Sequence, residues 1–217
     1  ALVGALVELV LIRPLYRRPI EQVLVTVGLS LAGVALLQAV WGTDPRPFDR
    51  PQWTRQVTGL LGAKIPNTAL LLVAAAVAVL AGLLAFLRLT RYGLVIRAGV
   101  ENRTMVTALG IDVRRAFTLV FAIGGAAAAL AGALAGVYFG SVSPGTGTSL
   151  LIFAFIVVVI GGMGSVVGSA YAAVAVGLLQ QFVNYYAAAG AGDVCVVALL
   201  AVVLLVRPRA ALSGRPA

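Results

Sequence analysis

The stretch Thr68-Ala-Leu-Leu-Leu-Val-Ala-Ala-Ala-Val-Ala-Val-Leu-Ala-Gly-Leu-Leu-Ala-Phe-Leu87 holds twenty residues and no charge. An α-helix rises about 1.5 Å per residue, so this run covers roughly 30 Å, the thickness of a bilayer's hydrocarbon core. The stretch therefore reads as a transmembrane helix.

Other runs flank it on both sides. Upstream lies Val23–Trp41, preceded by Pro19 and Glu21, which suit the first turn of a helix. Downstream come Phe117–Tyr138 and an apolar block, Leu150–Phe182, cut by Gly161-Gly-Met-Gly-Ser165. Val194–Val206 is short, so its helix is expected to begin near Ala187 or to sit deep against neighbours. The piece before the glycines, 149–160, covers only roughly 18 Å and could be re-entrant. A full crossing with a tight turn at Gly161–Ser165 is the reading adopted, because it keeps the C-terminal arginines on the same side as the others.

Composition agrees. Of 217 residues, 61% are hydrophobic and 11% charged, with a mean hydropathy of +1.06; soluble domains carry about 25% charged residues. The expected fold class is all-α: one polytopic transmembrane helical bundle over residues 1–217, with about six spans. Ala1–Ile12 is also apolar and lacks the basic start of a signal peptide. It is expected to be the tail of a further span whose beginning lies upstream.

Arginine placement orients the bundle, since cytoplasmic loops collect Lys and Arg. Arg13, Arg17 and Arg18 precede the first full span, six arginines lie within 88–115, and Arg207, Arg209 and Arg215 follow the last span, twelve of the sixteen basic residues. The other four, Arg46, Arg50, Arg55 and Lys64, share residues 42–66 with Asp44 and Asp49. The 88–116 segment and the C-terminus are thus expected in the cytoplasm and the 42–66 loop outside. Trp41, Trp53, Tyr138, Tyr185 and Tyr186 fall at the external ends, as an interfacial aromatic belt does.

The chain has no histidine and one cysteine, Cys195, inside an apolar run. Internal disulfides, histidine acid–base catalysis and most zinc sites are excluded, and no metal site is expected. The net charge of +9 sits in clusters beside apolar runs, an orientation pattern and not a nucleic-acid surface. Glu8 stands in an apolar stretch and needs a partner if buried.

Gly124, Ala128, Gly132, Gly136 and Gly140 recur every four residues and make one small-residue stripe; Ser165, Ser169, Ala173 and Gly177 make another. Such stripes let backbones approach closely, either for packing or as faces that slide. Gly161, Gly162, Gly164 and Gly168 are assigned to packing at the glycine turn. Thr26, Ser30 and Gly33 share one face of the first full span, with Gln38 off it. They either bond to neighbouring helices or line a translocation path.

Between Leu87 and Ala116 the chain is polar, too long for a simple turn. From Val100 the spacing is short-helical: Glu101, Met105, Ala108 and Leu109 share a face, Gly110 is placed as a helix stop, and Asp112 can cap the next span. This helix could lie in the lipid interface or insert its apolar tip into a partner.

The segment Glu101-Asn-Arg-Thr-Met-Val-Thr-Ala-Leu-Gly-Ile-Asp-Val-Arg-Arg115 resembles the cytoplasmic loop of ABC-importer permeases of the branched-chain amino acid (LivH) type. Five further motifs match in the same order: Arg13-Pro-Leu-Tyr-Arg-Arg18, Thr26-Val-Gly-Leu-Ser30, Gly42-Thr-Asp-Pro45, Gly161-Gly-Met-Gly-Ser165 followed by Gly168, and Leu205-Val-Arg-Pro208. The likeness covers nearly the whole chain. Two departures stand out: the family has further N-terminal helices, and the end reads Arg207-Pro-Arg-Ala-Ala-Leu212 where relatives place a Gly-Leu pair.

The resemblance implies a plasma-membrane permease domain over 1–217, with 88–116 as its coupling segment. It also implies a second permease subunit, two cytoplasmic ATPases and an extracytoplasmic solute-binding protein. Glu101, Asn102, Met105, Ala108, Leu109, Gly110 and Ile111 are the expected ATPase contacts. The chain carries no phosphate loop of the G-x-x-x-x-G-K-[ST] type, so ATP and Mg belong to the partners and this chain is expected to bind no cofactor and to be no enzyme. Two rivals are a permease of the same family for urea, short amides or another amino acid class, and a stand-alone secondary transporter or channel. The latter usually shows intramembrane charges or broken-helix ion sites.

Overall fold

The computed structural model describes residues 1–15, 18–49, 51–60, 63–101, 105–106, 110, 113–162, 164–187 and 190–206. Helix α1, Leu2–Val7, runs into a π turn, Glu8–Ile12, and a 3-10 turn, Arg13–Leu15. Helix α2, Pro19–Trp41, opens as the sequence indicates, with Pro19 in its first turn and Arg18 Nη1 2.8 Å from Glu21 Oε1. Then come α3, Asn67–Leu89; α4, Arg91–Glu101; α5, Val113–Phe139; α6, Thr146–Gly161; α7, Val166–Tyr186; and α8, Ala191–Val206.

Each of the six apolar runs becomes a helix. Among the described residues four stretches, Ile20–Trp41, Asn67–Leu89, Arg115–Phe139 and Val166–Tyr186, are long and apolar enough to cross a membrane. Helices α6 and α8 have 16 residues each, which is roughly 24 Å. Helix α8 begins at Ala191, not near Ala187. The reason is local: Asn184 Oδ1 accepts from Gly190 N (3.1 Å) and Gly192 N (2.8 Å), which turns the chain back at the end of α7.

The apolar side chains mostly face outwards. Leu24, Leu31, Val73, Leu151, Phe155 and Val174 are exposed, and none of the most apolar window of α2, α3 or α5 is buried. A patch of that size would be untenable in water. Lipid tails are as apolar as leucine, so exposure to them costs nothing, and helices associate instead through close backbone approach and hydrogen bonds.

The chain forms two compact units, Ala1–Thr146 and Gly147–Ala217. In the first, α1 lies antiparallel on α5. A Cβ added at Gly125 would sit 3.1 Å from Gly4 Cα, and one at Gly4 would run into Phe121 O. In the second, Ile156, Val176 and Val196 form a core covered by Phe153, Val157, Ile160, Leu199 and Leu200. Gln180 Nε2 donates to Asp193 Oδ1 at 2.7 Å, tying α7 to the first turn of α8. At the end of α7 the ring of Tyr186 stacks on Phe182 and meets Tyr185 edge to face.

The 42–66 loop is more ordered than its charge pattern suggests. Strand β1, Arg46–Pro47, pairs antiparallel with β4, Ser141–Val142, and Phe48 N donates to Gly140 O at 3.0 Å. A hairpin joins β2, Val57–Leu60, to β3, Ala63–Pro66. Asn67 then anchors the start of α3, with Nδ2 donating to Trp53 O at 2.9 Å and its backbone N to Gln56 O at 3.1 Å.

Candidate coupling segment and permeation face

The polar segment begins with a break that one residue closes on both sides. Thr90 leaves α3 in extended geometry. Its Oγ1 donates to Phe86 O at 2.6 Å and accepts from Gly93 N at 3.0 Å. The same hydroxyl therefore satisfies the end of α3 and the start of α4, where helices leave unpaired groups. The turn is tight enough that a Cβ at Gly93 would stand 2.5 Å from Leu87 O. Helix α4 packs on α3 and α5. Gly93, Ile96 and Gly99 are buried, while Tyr92, Leu94, Arg97 and Val100 are exposed.

This eleven-residue helix was not expected from the sequence, which placed the helical spacing only from Val100 onwards. Its signal was there, in Gly93, Ile96 and Gly99 three residues apart, masked by Arg91 and Arg97.

Of the expected ATPase contacts, Glu101 closes α4 and Met105 lies in a helical pair with Val106. Met105 is 63% exposed and Val106 only 6%, so one of the pair is open and its neighbour is covered. Gly110 has φ +77°, the left-handed conformation that ends helices and that side chains resist. Asn102, Ala108, Leu109 and Ile111, like the expected cap Asp112, lie outside the described residues. Helix α5 starts at Val113, and Ala116 in its first turn is buried.

Thr26, Ser30 and Gly33 share a face of α2 that is largely open: Ser30 and Gly33 are exposed and Thr26 half-buried. Thr26 Oγ1 donates to its own backbone, Val23 O, at 2.9 Å. Such a back-bonded hydroxyl is satisfied without a neighbour, so the face combines small size with little appetite for a ligand.

The glycines divide into two groups. Gly161 and Gly168 touch across the turn between α6 and α7: a Cβ at Gly168 would run into Gly161 O, and one at Gly161 would lie 2.5 Å from Ser169 Cα. Gly162 and Gly164 supply the turn itself, at φ +90° and +93°. Gly136 is close to Val142 and Phe48. Gly124 and Gly132 have nothing within 4 Å of an added Cβ, and the close approach on α5 is made by Gly125.

Glu8 is fully buried, and Thr118 Oγ1 of α5 donates to its Oε2 at 2.6 Å. The sequence marks Glu8 as needing a partner; nothing local names one 110 residues away.

Comparison with known proteins places this arrangement. The sequence profile described as the branched-chain amino acid transport system permease component matches residues 1–206. The chain belongs to that family. LivH of Escherichia coli strain K12, a high-affinity branched-chain amino acid transport system permease protein, is 38% identical over 131 residues, 60% of this chain and 42% of LivH. BraD of Pseudomonas aeruginosa, with the same description, is 37% identical over 138 residues, 64% of this chain and 45% of BraD. A probable branched-chain amino acid transport permease of Methanocaldococcus jannaschii is 26% identical over 203 residues, 88% of this chain and 62% of the relative. The aligned part spans less than half the length of LivH and BraD. No solved structure matches the chain. The chain is thus a multi-pass helical membrane protein, and these relatives are described as permeases of transport systems.

Proposed function

We propose that this chain forms the translocation path of an ATP-binding-cassette importer for branched-chain or related amino acids in the cytoplasmic membrane. It pairs with a second permease subunit, receives substrate from an extracytoplasmic solute-binding protein, and is driven by two cytoplasmic ATPases that hold ATP and Mg. The 88–116 segment and the C-terminus face the cytoplasm, following the arginine distribution.

The observation that carries this reading is α4 and the turn at Gly110. A short helix packed on the ends of two spans leaves Tyr92, Leu94 and Val100 uncovered, and Met105, beyond its end, is exposed as well. An apolar tip on a basic segment suits insertion into a groove on a partner. Movement of that helix by a closing ATPase pair would be passed directly into α3 and α5. The open, weakly polar face of α2 fits a passage that does not hold its cargo tightly, leaving selectivity to the binding protein.

The test is uptake of radiolabelled leucine into vesicles containing the full-length permease with and without its ATPases. Uptake is expected only with ATPases, ATP and loaded binding protein. Leucine accumulation without the ATPases would overturn the importer reading in favour of a channel or secondary transporter.

A further inference from the structure

We propose that Glu8 is a positioning residue that passes movement of the base of α5 to α2, the helix carrying Thr26, Ser30 and Gly33. The proposal rests on the importer reading and names a contact through which the coupling segment reaches the permeation face. Three features of the first unit converge on it.

The first is the bond itself. Glu8 has no exposed surface, and its Oε2 accepts from Thr118 Oγ1 at 2.6 Å. A carboxylate taken out of water is retained only where its partners hold it, and losing one leaves a costly buried group. Thr118 lies in the second turn of α5, just beyond the 88–116 segment, so it moves with whatever moves that segment.

The second is the backbone around Glu8. Within fourteen residues the chain passes from α-helix through the π turn Glu8–Ile12 to the 3-10 turn Arg13–Leu15, which contains Pro14. Neither form has the regular α hydrogen-bond ladder, and π turns recur at functional sites. This π turn touches α5 on one side and α2 on the other.

The third is the crossing one turn earlier. Gly4 lies against the backbone of Phe121 and Gly125 with no room for a Cβ. Helices α1 and α5 are locked there and move together, while the π and 3-10 turns are the compliant link to α2. The Glu8–Thr118 bond keeps that link attached to α5.

The experiment uses the complete importer in vesicles, with uptake and ATP hydrolysis both measured per assembled complex. Thr118→Val is expected to lower substrate moved per ATP by about tenfold, the scale of losing a buried hydrogen bond to a carboxyl group. Thr118→Ser, which keeps the hydroxyl, restores the ratio. A purely structural role lowers the amount of complex and leaves the ratio alone, so an unchanged ratio in Thr118→Val overturns the proposal. If Thr118→Val does not assemble, Glu8→Asp, which withdraws the carboxyl group by one methylene, is read in the same way. Uptake by the wild-type chain without hydrolysis is a different result: it overturns the importer reading itself.

Discussion

The Gly161–Ser165 turn and the 90–113 segment both interrupt apolar helices with a glycine in left-handed geometry, yet they are built to opposite ends. The first closes on itself. Ser165 Oγ accepts from Gly168 N at 3.0 Å, and Gly161 and Gly168 touch backbone to backbone. The second satisfies its backbone at Thr90 but leaves Tyr92, Leu94, Val100 and Met105 uncovered. A turn that uses all its groups internally is a structural hinge between helices. A segment that leaves apolar side chains uncovered is what the proposed coupling to a partner requires.

The largest effect should come from filling the closed turn. Gly168→Val places a side chain against Gly161 O and Ser165 Oγ, and backbone cannot give way as a flexible side chain can. Overpacking of this kind costs about 3 kcal/mol or more, so the expected outcome is loss of monodisperse protein after detergent extraction. Gly124→Ala and Gly132→Ala on the open stripe of α5 are the controls, with changes of about 0.5 kcal/mol or less. Normal extraction of Gly168→Val would show the turn to be looser than its contacts imply.

Gly110→Val should act through function and spare the fold. A β-branched residue at φ +77° pays roughly 1–2 kcal/mol in local strain, which the chain relieves by redirecting the segment before α5. Uptake and ATPase recovery by pull-down are expected to fall at least about tenfold, as 1.4 kcal/mol would give, with the amount in the membrane unchanged. Gly110→Asn, which tolerates left-handed geometry, should retain most of both. Normal uptake by Gly110→Val at normal abundance would sink the coupling assignment.

What could be read from sequence follows from how local each signal is. The six helices were legible because a bilayer demands long uncharged runs, and a run such as Thr68–Leu87 has no other reading. The left-handed geometry at Gly110 was legible because that conformation selects glycine. Helix α4 was hidden because its buried face is two glycines and one isoleucine, too sparse to outweigh two arginines. The β2–β3 hairpin was hidden because Val57-Thr-Gly-Leu60 lacks clean alternation and the loop was read through its charge alone. Gly125 was overlooked for Gly124 because a four-residue spacing identifies a stripe without showing which neighbour approaches it. The Glu8–Thr118 contact illustrates the remaining limit: sequence exposes a buried carboxylate as a problem, and only the fold supplies the partner.

The smallest effect tests the comparison most closely. Ser165 is the N-cap of α7, and its Oγ satisfies Gly168 N. Ser165→Ala removes that bond without adding bulk, at a cost of about 1 kcal/mol. In a thermal unfolding assay of the purified protein, the midpoint should drop by roughly 2–4 °C, the shift that such a loss gives a chain of about 200 residues. Ser165→Asn keeps a side-chain acceptor at the cap and should recover most of it. Substrate moved per ATP should match wild type in both variants, because the contacts of the closed turn are made within the turn itself. A changed ratio with an unchanged midpoint would place the turn in the coupling path and erase the distinction between the two interruptions.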